Sequence, residues 1–120
     1  DWLYVKDHCK AISLILDNGR IGDKYNVGGG LELTNNQVVS KICKFLDEIK
    51  PLISNGKEIS YKSFINYSED RLGHDFRYSL NSSKIKEDLG WTPQVNFDEG
   101  ILKTIKWYLE NKKWLNEITK

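Results

Sequence analysis

An α/β architecture follows from the order of the chain's apolar runs. Short runs at residues 2–5, 24–27 and 62–67 have the composition of strands, and the stretches between and after them carry apolar residues at helical spacing. Turn residues such as Asn18-Gly19, Asn55-Gly56 and Gly90 separate the two kinds. Short strands alternating with helices are the pattern of an α/β fold. A length of 120 residues suits one domain that buries a core without disulfides or metals, so residues 1–120 are read as a single region. No internal repeat or low-complexity segment interrupts it.

The first run, Trp2-Leu-Tyr-Val5, predicts a strand or turn. Asp7 is the expected N-cap of a helix with Cys9, Ala11, Ile12, Ile15 and Leu16 at helical spacing, stopped by Asn18-Gly19. Lys24-Tyr-Asn-Val27 reads as a short buried strand entering Gly28-Gly29-Gly30. Thr34, with Gln37 three residues on, forms a capping box for a helix whose stripe is Val38, Val39, Ile42, Phe45, Leu46 and Ile49, closed by Pro51. Residues 52–58, centred on Asn55-Gly56, predict a surface loop before the strand at 62–67. Asn81 or Ser82 caps a short helix with Ile85 and Leu89 on one face, ended by Gly90. A last helix starts at Asn96, with Glu99 in its first turn, and carries Phe97, Ile101, Ile105, Tyr108 and Leu109.

Charge singles out no macromolecular partner. Lys plus Arg number 18 against 17 for Asp plus Glu, so no bulk field points to nucleic acid or a membrane surface. No apolar run approaches the roughly 20 residues of a bilayer span, and the opening lacks a secretory leader, which predicts a cytoplasmic protein. The absence of methionine and the apolar opening predict a fragment of a longer protein. Such a fragment is expected to expose apolar surface. Cys9 and Cys43 stand in helical stretches outside any Cys-x-x-Cys or His-x-x-x-His pattern, so buried reduced thiols are expected, with neither disulfide nor zinc. Three of the four tryptophans, Trp2, Trp91, Trp107 and Trp114, fall at strand starts or helical spacing, which predicts core packing over carbohydrate stacking.

The chemistry concentrates in Asp70-Arg-Leu-Gly-His-Asp-Phe-Arg-Tyr78. Arg71 and Arg77 offer planar, permanently charged forks suited to phosphate oxygens, and His74 adds a directional donor. Gly73 lets backbone approach a ligand, and Asp70 and Asp75 would hold the cations in position. The alternative is a solvated turn whose charges pair among themselves. A strand ending just before the loop would put it at a sheet's carboxyl edge, where open α/β folds bind ligands. Asn35 and Asn36 open a helix whose free N–H groups attract anions, so an amide there could reach a phosphate or sugar hydroxyl; ordinary first-turn residues are the alternative.

Other patterns carry less. Gly28-Gly29-Gly30-Leu31-Glu32-Leu33 follows a predicted strand, but Leu33 occupies the third glycine position of a dinucleotide fingerprint and no acid closes a second strand. Tyr108-x-x-x-Lys112 has the spacing of a proton-transfer pair, yet Tyr108 belongs to an apolar stripe and Lys112 reads as a solvated C-terminal cation. His8 reads as a surface or capping histidine. There is no nucleophile triad, metal cluster or P-loop, so neither catalytic nor metal-ligating residues are assigned.

Four motifs taken in order, Asp1-Trp-Leu-Tyr-Val-Lys-Asp-His8, Tyr25-Asn-Val-Gly-Gly29, Asp70 to Tyr78 and Leu89-Gly-Trp-Thr-Pro93, make the chain resemble the carboxyl-terminal third of the dTDP-glucose 4,6-dehydratases. The first, second and fourth are common to extended short-chain dehydrogenases acting on nucleotide sugars; the third is more specific. That family usually writes it Asp-Arg-Pro-Gly-His-Asp-Arg-Arg-Tyr, and this chain departs at Leu72 and Phe76. The resemblance implies a C-terminal fragment of an extended short-chain dehydrogenase fold. It also implies a lyase reaction of deoxysugar biosynthesis, in which hydride leaves C4 of the glucosyl unit for NAD, water is lost across C5 and C6, and hydride returns at C6. By the same resemblance the NAD-binding domain, the Tyr-x-x-x-Lys pair and the acid/base carboxylates precede Asp1, and the parent enzyme is a homodimer. This chain would then bind the dTDP-sugar without turning it over. Asn35, Asp70, Arg71, Leu72, Gly73 and His74 correspond to substrate-contacting positions, with Arg71 on the diphosphate. A related epimerase or decarboxylase, or a non-catalytic binding module, are the alternatives.

Overall fold

The structure is a computed structural model that describes residues 1–119. Two compact units share the chain: Asp1–Leu33 with Gly73–Gly100, and Thr34–Leu72 with Ile101–Lys120.

In the first unit, helix α1 (Val5–Asn18) begins earlier than the sequence suggests, with Tyr4 in extended backbone as its N-cap. Asp7 therefore lies in the first turn, where a carboxylate suits the helix dipole. It is 1% exposed. Its Oδ2 accepts the backbone N–H groups of Gln94 (2.9 Å) and Val95 (2.8 Å), tying the segment ahead of the last long helix to α1. Helix α3 (Ser83–Leu89) starts where Asn81 Oδ1 accepts from Ser83 N at 2.9 Å and ends at Gly90 in left-handed backbone. Ala11, Ile85 and Trp91 form the buried core, with Leu3, Leu14, Ile15, Tyr25, Val27 and Leu89 packed around them. Full burial of a side chain such as Ile85 is worth about 1.5–3 kcal/mol.

Residues 24–27 form no strand. The alternation is there, since Tyr25 and Val27 face the core while Asn26 is exposed, but a strand also needs a neighbour to complete a backbone ladder.

In the second unit, helix α2 (Asn35–Ile49) carries the expected capping box: Gln37 N donates to Thr34 Oγ1 (3.2 Å) and Thr34 N donates to Gln37 Oε1 (2.8 Å). Val38, Cys43 and, from α4, Ile105 are this unit's buried apolar residues. The surface loop expected after α2 is instead an antiparallel hairpin, β1 (Leu52–Ser54) and β2 (Lys57–Ile59), with Leu52 paired to Ile59. Asn55 and Gly56 both have positive φ, 49° and 73°, as the tight hairpin turn requires. The predicted strand at 62–67 is replaced by a 3-10 turn, Tyr61–Phe64. Asp47 explains the change: its carboxylate accepts Ser60 Oγ and Tyr61 N, both at 2.7 Å, and fastens the turn to α2.

Helix α4 (Phe97–Glu110) begins as predicted, with Asn96 Oδ1 accepting Glu99 N at 3.0 Å. Beyond Asn111, α5 (Lys112–Ile118) follows, so Lys112 opens a helix instead of ending one. Trp107, Tyr108 and Trp114 gather edge to face, with the two indoles 5.0 Å apart between ring centres. Only Trp91 is a core tryptophan, at 7% exposure; Trp2, Trp107 and Trp114 stay about two-fifths exposed. Cys43 is buried, which pushes its thiol up, whereas Cys9 is exposed and both are free.

Candidate functional site

The six sequence-predicted site residues are divided between the units. Asn35 is the first residue of α2, and Asp70, Arg71 and Leu72 close the first stretch of the second unit; Gly73 and His74 open the returning stretch of the first. Gly73 has φ +73° with open space around it, so the left-handed backbone, not crowding, favours glycine there. His74 is half-buried, while Asp70, Arg71 and Leu72 are exposed. Leu72 and Phe76 lie wholly in solvent. No strand runs over residues 65–72, so the sheet-edge argument for this loop falls.

Arg77 is placed differently from expectation. Its fork is taken by Glu32, with Nε on Oε2 and Nη2 on Oε1 (2.7 Å), and Ser79 Oγ donates to Oε1 at 2.9 Å. Glu32, not Asp70 or Asp75, holds this cation. The Arg77 hydrogen bond, then that of Ser79, hold the Glu32 carboxyl down to about 2, and Arg77 is pushed up in return.

Asp1 makes the companion set of contacts. Its Oδ1 accepts Gly29 N (2.6 Å), its Oδ2 accepts Leu80 N (3.2 Å), and its backbone nitrogen donates to Tyr78 O (3.0 Å). Asn26 Nδ2 donates to Asn81 O (3.4 Å), and Gly28 N donates to Ser82 Oγ (2.8 Å). Each residue from 77 to 82 is thus fastened to Asp1 or to the segment 26–32. Sequence reasoning missed Glu32 and Asp1 as partners; the available signal was that Glu32 is the lone acid between Asp23 and Asp47.

The glycine run does not fit a dinucleotide. A Cβ at Gly29 would stand 2.0 Å from the Trp2 carbonyl oxygen, and one at Gly28 would stand 2.6 Å from Asp1 Oδ2. The space that glycine opens there is filled by the chain's own first residues, not left for a pyrophosphate. Among the described residues, no group of His, Cys, Asp and Glu gathers as metal ligands would, and no helix is long and apolar enough to cross a membrane.

A model of the GDP-mannose 4,6 dehydratase family matches residues 1–104. The chain belongs to that family. Similar to it among curated members is a probable dTDP-glucose 4,6-dehydratase of Sinorhizobium fredii, 51% identical over 114 residues, which cover 95% of this chain and 31% of the relative. The dTDP-glucose 4,6-dehydratase of Haemophilus influenzae is 48% identical over 111 residues, 92% of this chain and 32% of its own. The crystal structure of DesIV, the dTDP-glucose 4,6-dehydratase of Streptomyces venezuelae, with NAD bound, superposes with a TM-score of 0.80 at 39% identity over 95% of this chain and 32% of that one. The Bacillus anthracis enzyme in complex with NAD gives 0.79, with the same identity and shares. The chain therefore has the fold of one part of a short-chain dehydrogenase, and it spans about a third of the length of the curated relatives it matches.

Proposed function

We propose that this chain is the sugar-nucleotide-binding part of an NAD-dependent dTDP-glucose 4,6-dehydratase. The observation that carries the reading is 51% identity to a probable dTDP-glucose 4,6-dehydratase over 95% of this chain, a stretch that must include most of its candidate positions. In this reading Arg71 pairs with the diphosphate, His74 donates to a neighbouring oxygen, and the Asn35 amide reaches a phosphate or sugar hydroxyl. Asp70 orients Arg71, while Leu72 and Gly73 shape the backbone around the ligand. The glycine run of this chain does not suit NAD, so the cofactor and the proton-transferring residues belong to the remainder of a longer, cytoplasmic, homodimeric protein of deoxysugar biosynthesis. The chain alone binds without turning substrate over.

Titrating dTDP into the chain by calorimetry tests this. Weak binding is expected, and Arg71→Ala should lower it by about tenfold or more, the worth of a hydrogen-bonded charge pair. Equal binding by both chains removes Arg71 from the site, and turnover of dTDP-glucose by the chain alone contradicts the division of labour. A second reading, an epimerase or decarboxylase of the same superfamily, is favoured by the departures at Leu72 and Phe76 from the usual dehydratase motif. Tighter binding of UDP or GDP than of dTDP would select it.

A further inference from the structure

We propose that Glu32 and Arg77, braced by Ser79 and Asp1, are positioning residues that fix the exit of the 70–78 loop in its ligand-binding shape; the inference rests on the function proposed above. The observation behind it is continuity. Arg77 and Ser79 are held by Glu32, Tyr78 and Leu80 by Asp1, Asn81 by Asn26, and Ser82 by Gly28. Every residue in that run of six is tied either to the segment 26–32 or to Asp1.

The opposing segment is itself anchored: Trp2 N donates to Leu31 O (3.2 Å), Trp2 Nε1 donates to Leu33 O (3.0 Å), and Gly29 lies too close to the Trp2 carbonyl to admit a methyl group. The 28–33 segment is thus gripped by residues 1–2 as well as by 77–82, and it serves as a fixed rail.

Chemistry favours a strut over a direct phosphate contact for Arg77. A guanidinium grips phosphate best through a whole edge, Nε–Nη or Nη–Nη, whose charge no carboxylate already offsets. Arg77 gives Nε and Nη2 to one carboxylate, and that carboxylate takes a third hydrogen bond from Ser79. A phosphate arriving at the Nε–Nη2 edge would have to displace Glu32, and one arriving at the Nη1–Nη2 edge would meet a guanidinium whose charge Glu32 already offsets. The pair is electrically neutral as it stands. A single exposed ion pair is a weak tether. A bidentate one reinforced by ties on the next five residues orders a segment, because each tie acts on backbone that its neighbours have already partly restricted.

Two measurements on the full chain decide it: amide hydrogen exchange of residues 73–80, and calorimetric titration with dTDP. The variants are Glu32→Gln, Arg77→Gln, and the charge swap of Glu32→Arg with Arg77→Glu. Either single variant should speed exchange across 73–80 and weaken dTDP binding by about threefold or more, with the double exchange recovering much of both, as coupling within one pair requires. Unchanged exchange at 73–80 in Glu32→Gln overturns the inference. So does weakened binding in Arg77→Gln alongside unchanged or tighter binding in Glu32→Gln, since that pattern makes Arg77 a direct ligand. If the native chain takes up no dTDP, the proposed function fails, while the exchange measurement still decides whether the strut exists.

Discussion

Two places in this molecule hold a pair of chain segments side by side, and they do it by different means. The hairpin β1–β2 uses the backbone ladder, with Leu52, Ile53 and Ser54 opposite Ile59, Glu58 and Lys57. The seam between residues 26–32 and 77–82 uses side chains: two carboxylates, a guanidinium, an amide and two hydroxyls replace most of what a ladder would supply. A ladder is nearly indifferent to side-chain identity, whereas a side-chain seam fails wherever its donor or acceptor is removed. The first unit should therefore be far more sensitive to single substitutions than the hairpin.

The sharpest break should come at Asp7, which extends the same device into the core. Removing its carboxylate strands two N–H groups, those of Gln94 and Val95, so Asp7→Ala should cost about 2–4 kcal/mol in denaturant unfolding, and Asp7→Asn clearly less. A loss under about 0.5 kcal/mol would mean that water replaces the carboxylate freely.

Glycine substitutions compare the two regions directly. Gly29→Ala would push a methyl group onto the Trp2 carbonyl and should cost about 2–3 kcal/mol. Gly56→Ala meets no atom but must hold φ +73°, so about 1 kcal/mol is expected. Equal costs would erase the distinction between the regions.

The mildest effect is one of pH. The Glu32 carboxyl, held by Arg77, sits near 2 against an ordinary 4.5. A depressed carboxyl contributes stability that is fully present above the unfolded value and disappears as pH falls through the folded one. The difference in unfolding midpoint between the native chain and Glu32→Gln should therefore be flat above pH 4.5 and shrink towards pH 2. A difference that persists unchanged to pH 2 would break the assignment.

How much the sequence discloses follows the same divide. Helices α1 to α4 were legible, though α5 was not, because spacing and caps are local: Thr34 with Gln37, Asn96 with Glu99, and Gly90 all act where they were expected. Asp7 misled because a carboxylate near a helix start suits both a cap and a buried tie. The hairpin was hidden although Asn55-Gly56 is a strong turn signal, because strands of three residues are too short to show an alternation. Residues 24–27 alternate well but have no backbone partner, which no local pattern reveals. The loop from Asp70 to Tyr78 was conspicuous in composition, but its brace was not. Glu32 lies 45 residues from Arg77, and nothing near either one announces the pairing.

The edge-to-face indoles of Trp107 and Trp114 carry a practical corollary. Transition dipoles that close couple and yield a paired circular-dichroism band, whereas the solitary indole of Trp91 contributes none of that kind. Optical spectroscopy can thus watch the end of the chain melt separately from the core around Ile85, without a label being attached.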